Sequence, residues 1–251
     1  MDTGRYDLLL RAAASQLIAV SCLIAGAIAP GGATNGVQDL VAVAPESAKV
    51  EYEDARVRVV RLTMAPNTSS PMHDRPRRVV IGLTASEVTI TRPDGANGSS
   101  KTQALRPAWS EPGRRAVANL ASRLENIIVE LKTANAPGVA LARPPSVPPP
   151  EYLQDPRHTW LFENQYVRIY EARIPPGEMT NFHRHAYDTV TLRVSGGNVT
   201  TQLEDGAWGE PMTIEAGSVA FDADSKKPFV HRVRNDGTSE YHVILVQLLR
   251  N

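Results

Sequence analysis

Six histidines occur in the 251 residues, and two of them, His183 and His185, stand one residue apart. Successive side chains of a strand point to opposite faces, so an H-x-H pair on a strand sends both imidazoles the same way. A further histidine, His231, precedes Asn235 by four residues. From a neighbouring strand it can reach the same point across a barrel. Three neutral imidazoles on a facial triangle make a metal site with open positions. They leave the double charge of a divalent ion uncompensated. Its open positions therefore attract a small anionic organic ligand, such as an enolate, a 2-oxo acid or a catecholate-like chelator, or hold a water made acidic by the ion. A chance pairing is the competing explanation for so short a motif, and the surrounding sequence decides between them.

The elements that must carry these residues read as strands. Tyr166 to Ile174 and Val190 to Val194 alternate apolar or branched residues with polar ones, and turns rich in Gly, Asp, Asn and Pro separate them. Short strands with that punctuation build a sandwich or a barrel. The spacing of Arg114 to Leu131 suits a helix as well as strands, with β favoured for Ile127 to Leu131.

The chain also repeats itself. Glu53 to Arg58 matches Glu163 to Arg168, Pro66 matches Pro176, and His73 matches His183 at the same displacement, 183 − 73 = 110. Val88-Thr89 and Asp94-Gly95 match Val199-Thr200 and Asp205-Gly206 at a displacement of 111. Two copies of one fold follow. In the first copy Arg75 replaces His185, and Arg115 stands where His231 is expected. Arginine has no lone pair to give and repels a cation. The first copy is therefore expected to have lost any metal site and to serve packing, homodimer formation or pocket shaping, with His73 a hydrogen-bonded remnant.

Gly177 precedes His183 by six residues, and Thr189 and Ser195-Gly196-Gly197 follow the pair; Glu215-Ala-Gly217 leads to His231 and Asn235. These two motifs resemble those of the cupin family. The resemblance implies an all-β chain of two tandem cupin-type jelly-roll barrels preceded by an N-terminal export signal. The barrels are expected at 45–135 and 152–251, with a proline-rich linker at 136–151 that holds Pro144-Pro145 and Pro148 to Pro150. It implies one divalent metal ion on His183, His185 and His231, with iron, zinc, manganese and copper all open. Two positions depart from the family pattern. Thr189, with Asp188 beside it, replaces the usual glutamate ligand, and Glu215 replaces a proline. By the two-residue period Thr191 and Arg193 share the face of Thr189. Thr189 and Arg193 are accordingly candidate pocket residues, Arg193 holding a ligand carboxylate or a salt bridge at the barrel mouth. On iron such a site implies a dioxygenase acting on a chelating acid or diketone; on zinc or manganese, a hydrolase, isomerase or lyase; a non-catalytic binder for sensing or capture is the alternative. Phe182, Tyr187, Phe221 and Phe229 are expected as core or rim aromatics, and His158 and His242 as surface or hydrogen-bonded residues.

Composition narrows the partners. Lys plus Arg and Asp plus Glu both number 27, giving no net charge, so nothing invites nucleic acid. Arg75, Arg77 and Arg78 are expected as solvated strand and turn residues rather than an anion patch. The single cysteine, Cys22, excludes an intramolecular disulfide. Arg5 and Arg11 precede an apolar run from Ala12 to Ala29 that Pro30-Gly31-Gly32 ends. Residues 1–33 thus read as a signal peptide, an uncleaved membrane anchor, or a lipid-attachment segment at Cys22. The expected location is periplasmic or secreted, with membrane contact only through this segment. Metal acquired there meets an affinity order that favours copper and zinc over iron and manganese.

Overall fold

Alternation on both faces of the same strands sets the architecture. The computed structural model describes residues 38–132 and 155–249; the expected export segment and linker lie outside these residues. Among the described residues no helix is long and apolar enough to cross a membrane. The first barrel consists of β1 (Ala48–Glu53), β2 (Val57–Met64), β3 (Ser69–Arg75), β4 (Arg78–Gly82), β5 (Ser86–Thr91), β6 (Asn97–Thr102), β7 (Pro107–Ser110), β8 (Gly113–Asn119) and β9 (Leu124–Leu131). The second has β10 (His158–Glu163), β11 (Val167–Ile174), β12 (His183–His185), β13 (Thr189–Arg193), β14 (Gly197–Leu203), β15 (Met212–Ile214), β16 (Val219–Asp222), β17 (Phe229–Asn235) and β18 (Tyr241–Leu248).

The two copies agree strand for strand. The first pairs as β1-β2-β9-β4-β7 and β3-β8-β5-β6, the second as β10-β11-β18-β13-β16 and β12-β17-β14-β15. The stretch whose spacing also suited a helix forms β8 and β9 instead. Asn119 makes the corner between them, its amide donating to the carbonyls of Met64, Ala65 and Ser122. Asn235 does the same in the second barrel, donating to Ile174 and Ser239. A buried amide that serves several backbone carbonyls at once holds a corner that no ladder pairs. The first barrel also begins earlier than expected. A helical turn, α1 (Leu40–Val43), is capped by the Asp39 side chain on Ala42 N, and Leu40 is buried inside the barrel.

Each five-stranded sheet is covered on both sides. In β9, Leu124 and Ile128 face the barrel interior, while Ile127, Val129 and Leu131 face outward. In β18, Tyr241, Val243 and Leu245 point inward, and Ile244, Val246 and Leu248 outward. The outward rows of the two sheets meet in one apolar layer that also holds Val57, Val59, Val167 and Ile169. Full burial of such side chains contributes about 1.5–3 kcal/mol each. Tyr52 stacks on Phe221 at 4.4 Å and Trp109 on Tyr166 at 5.4 Å across this layer, so Phe221 is an inter-barrel contact. An ion pair also crosses between the barrels, from Arg56 to the fully buried carboxylate of Asp188.

Candidate metal centre

Strand register brings the three histidines together. Alternation along β12 buries His183 and His185 on one side and exposes Arg184 on the other. β12 runs antiparallel to β17 with His183 opposite His231. Nε2 of His231 then lies 3.0 Å from Nε2 of His183 and 3.1 Å from Nε2 of His185.

The outer nitrogens explain why the inner ones are free to bind. His183 Nδ1 donates to the Asn181 carbonyl at 2.9 Å, and His185 Nδ1 faces the Asp224 carboxylate at 3.2 Å. Both partners are acceptors, which places a proton on each Nδ1 and a lone pair on each Nε2. One proton on His231 satisfies one of those lone pairs; a cation among the nitrogens satisfies all three. Separations of 3.0 and 3.1 Å suit nitrogens that share an ion about 2.1 Å away. The residues present therefore fit a divalent metal, with Asp224 and the Asn181 carbonyl orienting its ligands.

Further packing fixes the rings. Phe229 stacks on His185 at 5.1 Å and 9°. Asp224 sits on a 3-10 turn, Asp224–Lys226, held by Asp188, which accepts from both Ser225 N and Ser225 Oγ. Asp155 accepts from Asn181 N. His158, expected as a surface or hydrogen-bonded residue, is buried rather than at the surface and lies against the site, its ring 4.8 Å from that of His183. β10 carries it there, pairing with β11 so that His158 lies opposite Ala172, which lines the same cavity.

Burial, followed by the neighbouring imidazoles, holds these rings neutral. The pKa of His183 falls to about 3 and that of His231 to about 2, in each case first through desolvation. That of His158 falls to about 4, again through burial first. Neutral imidazole is the form that coordinates a metal.

The histidines open onto a cavity of about 240 Å³ inside the second barrel. Arg193, Thr191, Asp222 and Tyr241 face it. Arg193 hydrogen-bonds Tyr241, and Thr191 Oγ1 donates to Asp222 at 3.2 Å. Burial and then the charge of Asp224 raise the Asp222 pKa. Thr189 is not on the cavity wall; its hydroxyl donates to the Tyr187 carbonyl at 2.9 Å. Asp188 is likewise committed, to Arg56 and Ser225, so the carboxylate beside Thr189 does not replace the missing glutamate.

No protein-family model and no curated protein matches the sequence. Solved structures do match in fold. Oxalate decarboxylase from Lactobacillus farciminis, in a formate complex, is 13% identical with a TM-score of 0.54, over 86% of this chain and 87% of that one. AerE from Microcystis aeruginosa is 13% identical with a TM-score of 0.52, over 80% of this chain and 97% of that one. A variant oxalate decarboxylase from Bacillus subtilis is 12% identical with a TM-score of 0.53, over 86% of this chain and 78% of that one. The described residues are nearly all β, and their fold is that of these solved structures. In particular it has two barrels of matching strand order, with a histidine cluster in the second.

Proposed function

We propose that this is an exported bicupin whose second barrel holds one divalent metal ion on His183, His185 and His231 and acts as a metal-dependent dioxygenase on a small chelating organic anion. The convergence of three Nε2 atoms, two of them with their Nδ1 protons committed elsewhere, carries the reading. A redox-active ion such as iron supplies the one-electron chemistry that joins dioxygen to an organic anion. The protein's own residues bind and orient. Arg193 offers a planar pair of donors to a ligand carboxylate. Asp222, its pKa raised, stands in the cavity to take the proton that a chelating hydroxyl or enol gives up. The apolar wall, including Val243 and Leu245, keeps the dielectric low and strengthens both interactions.

The second reading is non-catalytic capture or sensing of a metal or small ligand. What favours it is the fourth ligand position, where Thr189 spends its hydroxyl on backbone. Elemental analysis of protein purified from its exported compartment, beside His183→Ala, tests the site. One equivalent of metal, lost in the variant, supports it, and full occupancy in His183→Ala refutes it. Iron together with dioxygen uptake on adding 2-oxo acids or diketones supports the oxygenase; metal without turnover supports capture.

A further inference from the structure

The first barrel contains its own cavity, of about 220 Å³, at the position where the second barrel has its histidines. The register identifies the equivalent residues. His73 lies opposite Arg115 as His183 lies opposite His231. Arg78 pairs with Glu130 across β4 and β9 as Thr189 pairs with Gln247 across β13 and β18. The places of His183, His185, Thr189 and His231 are thus taken by His73, Arg75, Arg78 and Arg115, all four of which line the cavity. His73 even keeps the pose of His183, its Nδ1 donating to the carbonyl two residues earlier, Pro71, at 2.9 Å.

Charge inside this barrel is unbalanced. Arg78 is 2% exposed, contrary to its expected place as a solvated residue. It reaches the carboxylate of Glu130 at 3.4 Å, and Glu130 is shared with Arg58, whose Nε donates to it at 2.8 Å. Among the described residues, Arg75 Nε, Arg75 Nη1 and Arg78 Nε are buried with no hydrogen-bond partner, and no aspartate or glutamate lines the cavity. Buried donors left unpaired are costly, the more so when charged, so a cluster of them around a void has the form of a site that awaits acceptors. The rest of the wall is largely hydrocarbon, including Leu62, Val88, Ile90, Val117, Leu124 and Ile128.

We propose that the first barrel is an anion site: Arg75, Arg78 and Arg115 bind the carboxylate of a small organic acid, whose apolar tail lies along the hydrocarbon wall. Guanidinium groups pair with carboxylates through two parallel hydrogen bonds, which would satisfy the orphaned nitrogens in one step. Loss of the metal ligands is, in this barrel, a change of ligand class from cation to anion. The site stands independently of the proposed metal centre.

Titration calorimetry of the full chain with hexanoate, and with hexanol as the neutral control, tests it. The expected result is a hexanoate site that His183→Ala leaves unaffected and that Arg75→Gln and Arg115→Gln each weaken roughly tenfold or more. Arg75→Gln removes donors that have no partner, so its melting temperature is expected to hold while its affinity for hexanoate falls. Hexanoate is also expected to raise the melting temperature of the unsubstituted protein, and hexanol to leave it unchanged. Absence of hexanoate binding, equal binding of hexanol, or unchanged affinity in both arginine variants would each overturn the proposal.

Discussion

Acidifying the metal-free protein is expected to unfold it through its histidines. His183 and His231 titrate at about 3 and about 2 in the folded chain, against 6.5 for an unburied ring. A folded pKa below the unfolded one means that the unfolded state binds more protons at intermediate pH. The stability tied to each ring is therefore complete above pH 6.5 and declines as pH falls toward the folded value. Between about pH 8 and about pH 5 the unfolded ring gains roughly 1.5 units of protonation free energy, or about 2 kcal/mol, that the folded ring forgoes. The two rings together give about 4 kcal/mol, a large part of the roughly 5–15 kcal/mol typical of folded domains. Lowered carboxylates such as Asp39 and Asp54 act only nearer their ordinary value of 3.8, below this window. Urea unfolding of chelator-treated protein at the two pH values, beside His183→Gln/His231→Gln, isolates the effect. The wild type is expected to lose about 4 kcal/mol more than the double variant. Equal losses would refute the claim that these rings are held neutral by burial.

Other perturbations act on the supports of the site. Asp224→Ala removes the acceptor at His185 Nδ1 and is expected to weaken metal affinity about 10–100-fold without changing stoichiometry, as read by competition with a chelator. Arg193→Gln is expected to leave metal content intact and to weaken binding of a small 2-oxo acid at the second barrel about tenfold, as read by calorimetry. Arg56→Leu strands the Asp188 carboxylate, which is fully buried, and is expected to cost about 3 kcal/mol in urea unfolding, the low end for a broken buried pair because Arg56 keeps some exposure. The same variant is expected to lower metal affinity, because Asp188 also holds Ser225 beside Asp224.

The strand period, the internal repeat and the convergence of His183 with His185 were legible in the sequence, because all three rest on local alternation. His231 was legible through its distance from Asn235, and the structure adds a reason for that residue, whose amide closes the corner after β17. His158 was not legible. It reaches the site through the pairing of β10 with β11, a tertiary fact with no local periodicity. Asp224 was hidden in the longer stretch between Gly217 and His231, part of which folds into a 3-10 turn. The burial of Arg78 was not legible because three arginines in four positions look solvated, whereas alternation along β4 sends Arg78 inward with Val80. Thr189 obeys the period, yet its hydroxyl is taken by a backbone carbonyl, a choice that periodicity cannot foresee.

The apolar layer between the barrels is built from matching faces: β2, β4 and β9 on one side, β11, β13 and β18 on the other. Such self-complementary contact is the geometry by which two identical subunits pair around a twofold axis. In a pair of separate chains, any change at one site appears at both, and replacing a metal ligand abolishes both centres together. Joining the copies in a single chain removes that constraint. Each half can then mutate alone while its partner continues to cover its apolar face, which is how one ancestral pocket can come to hold histidines in one copy and arginines in the other.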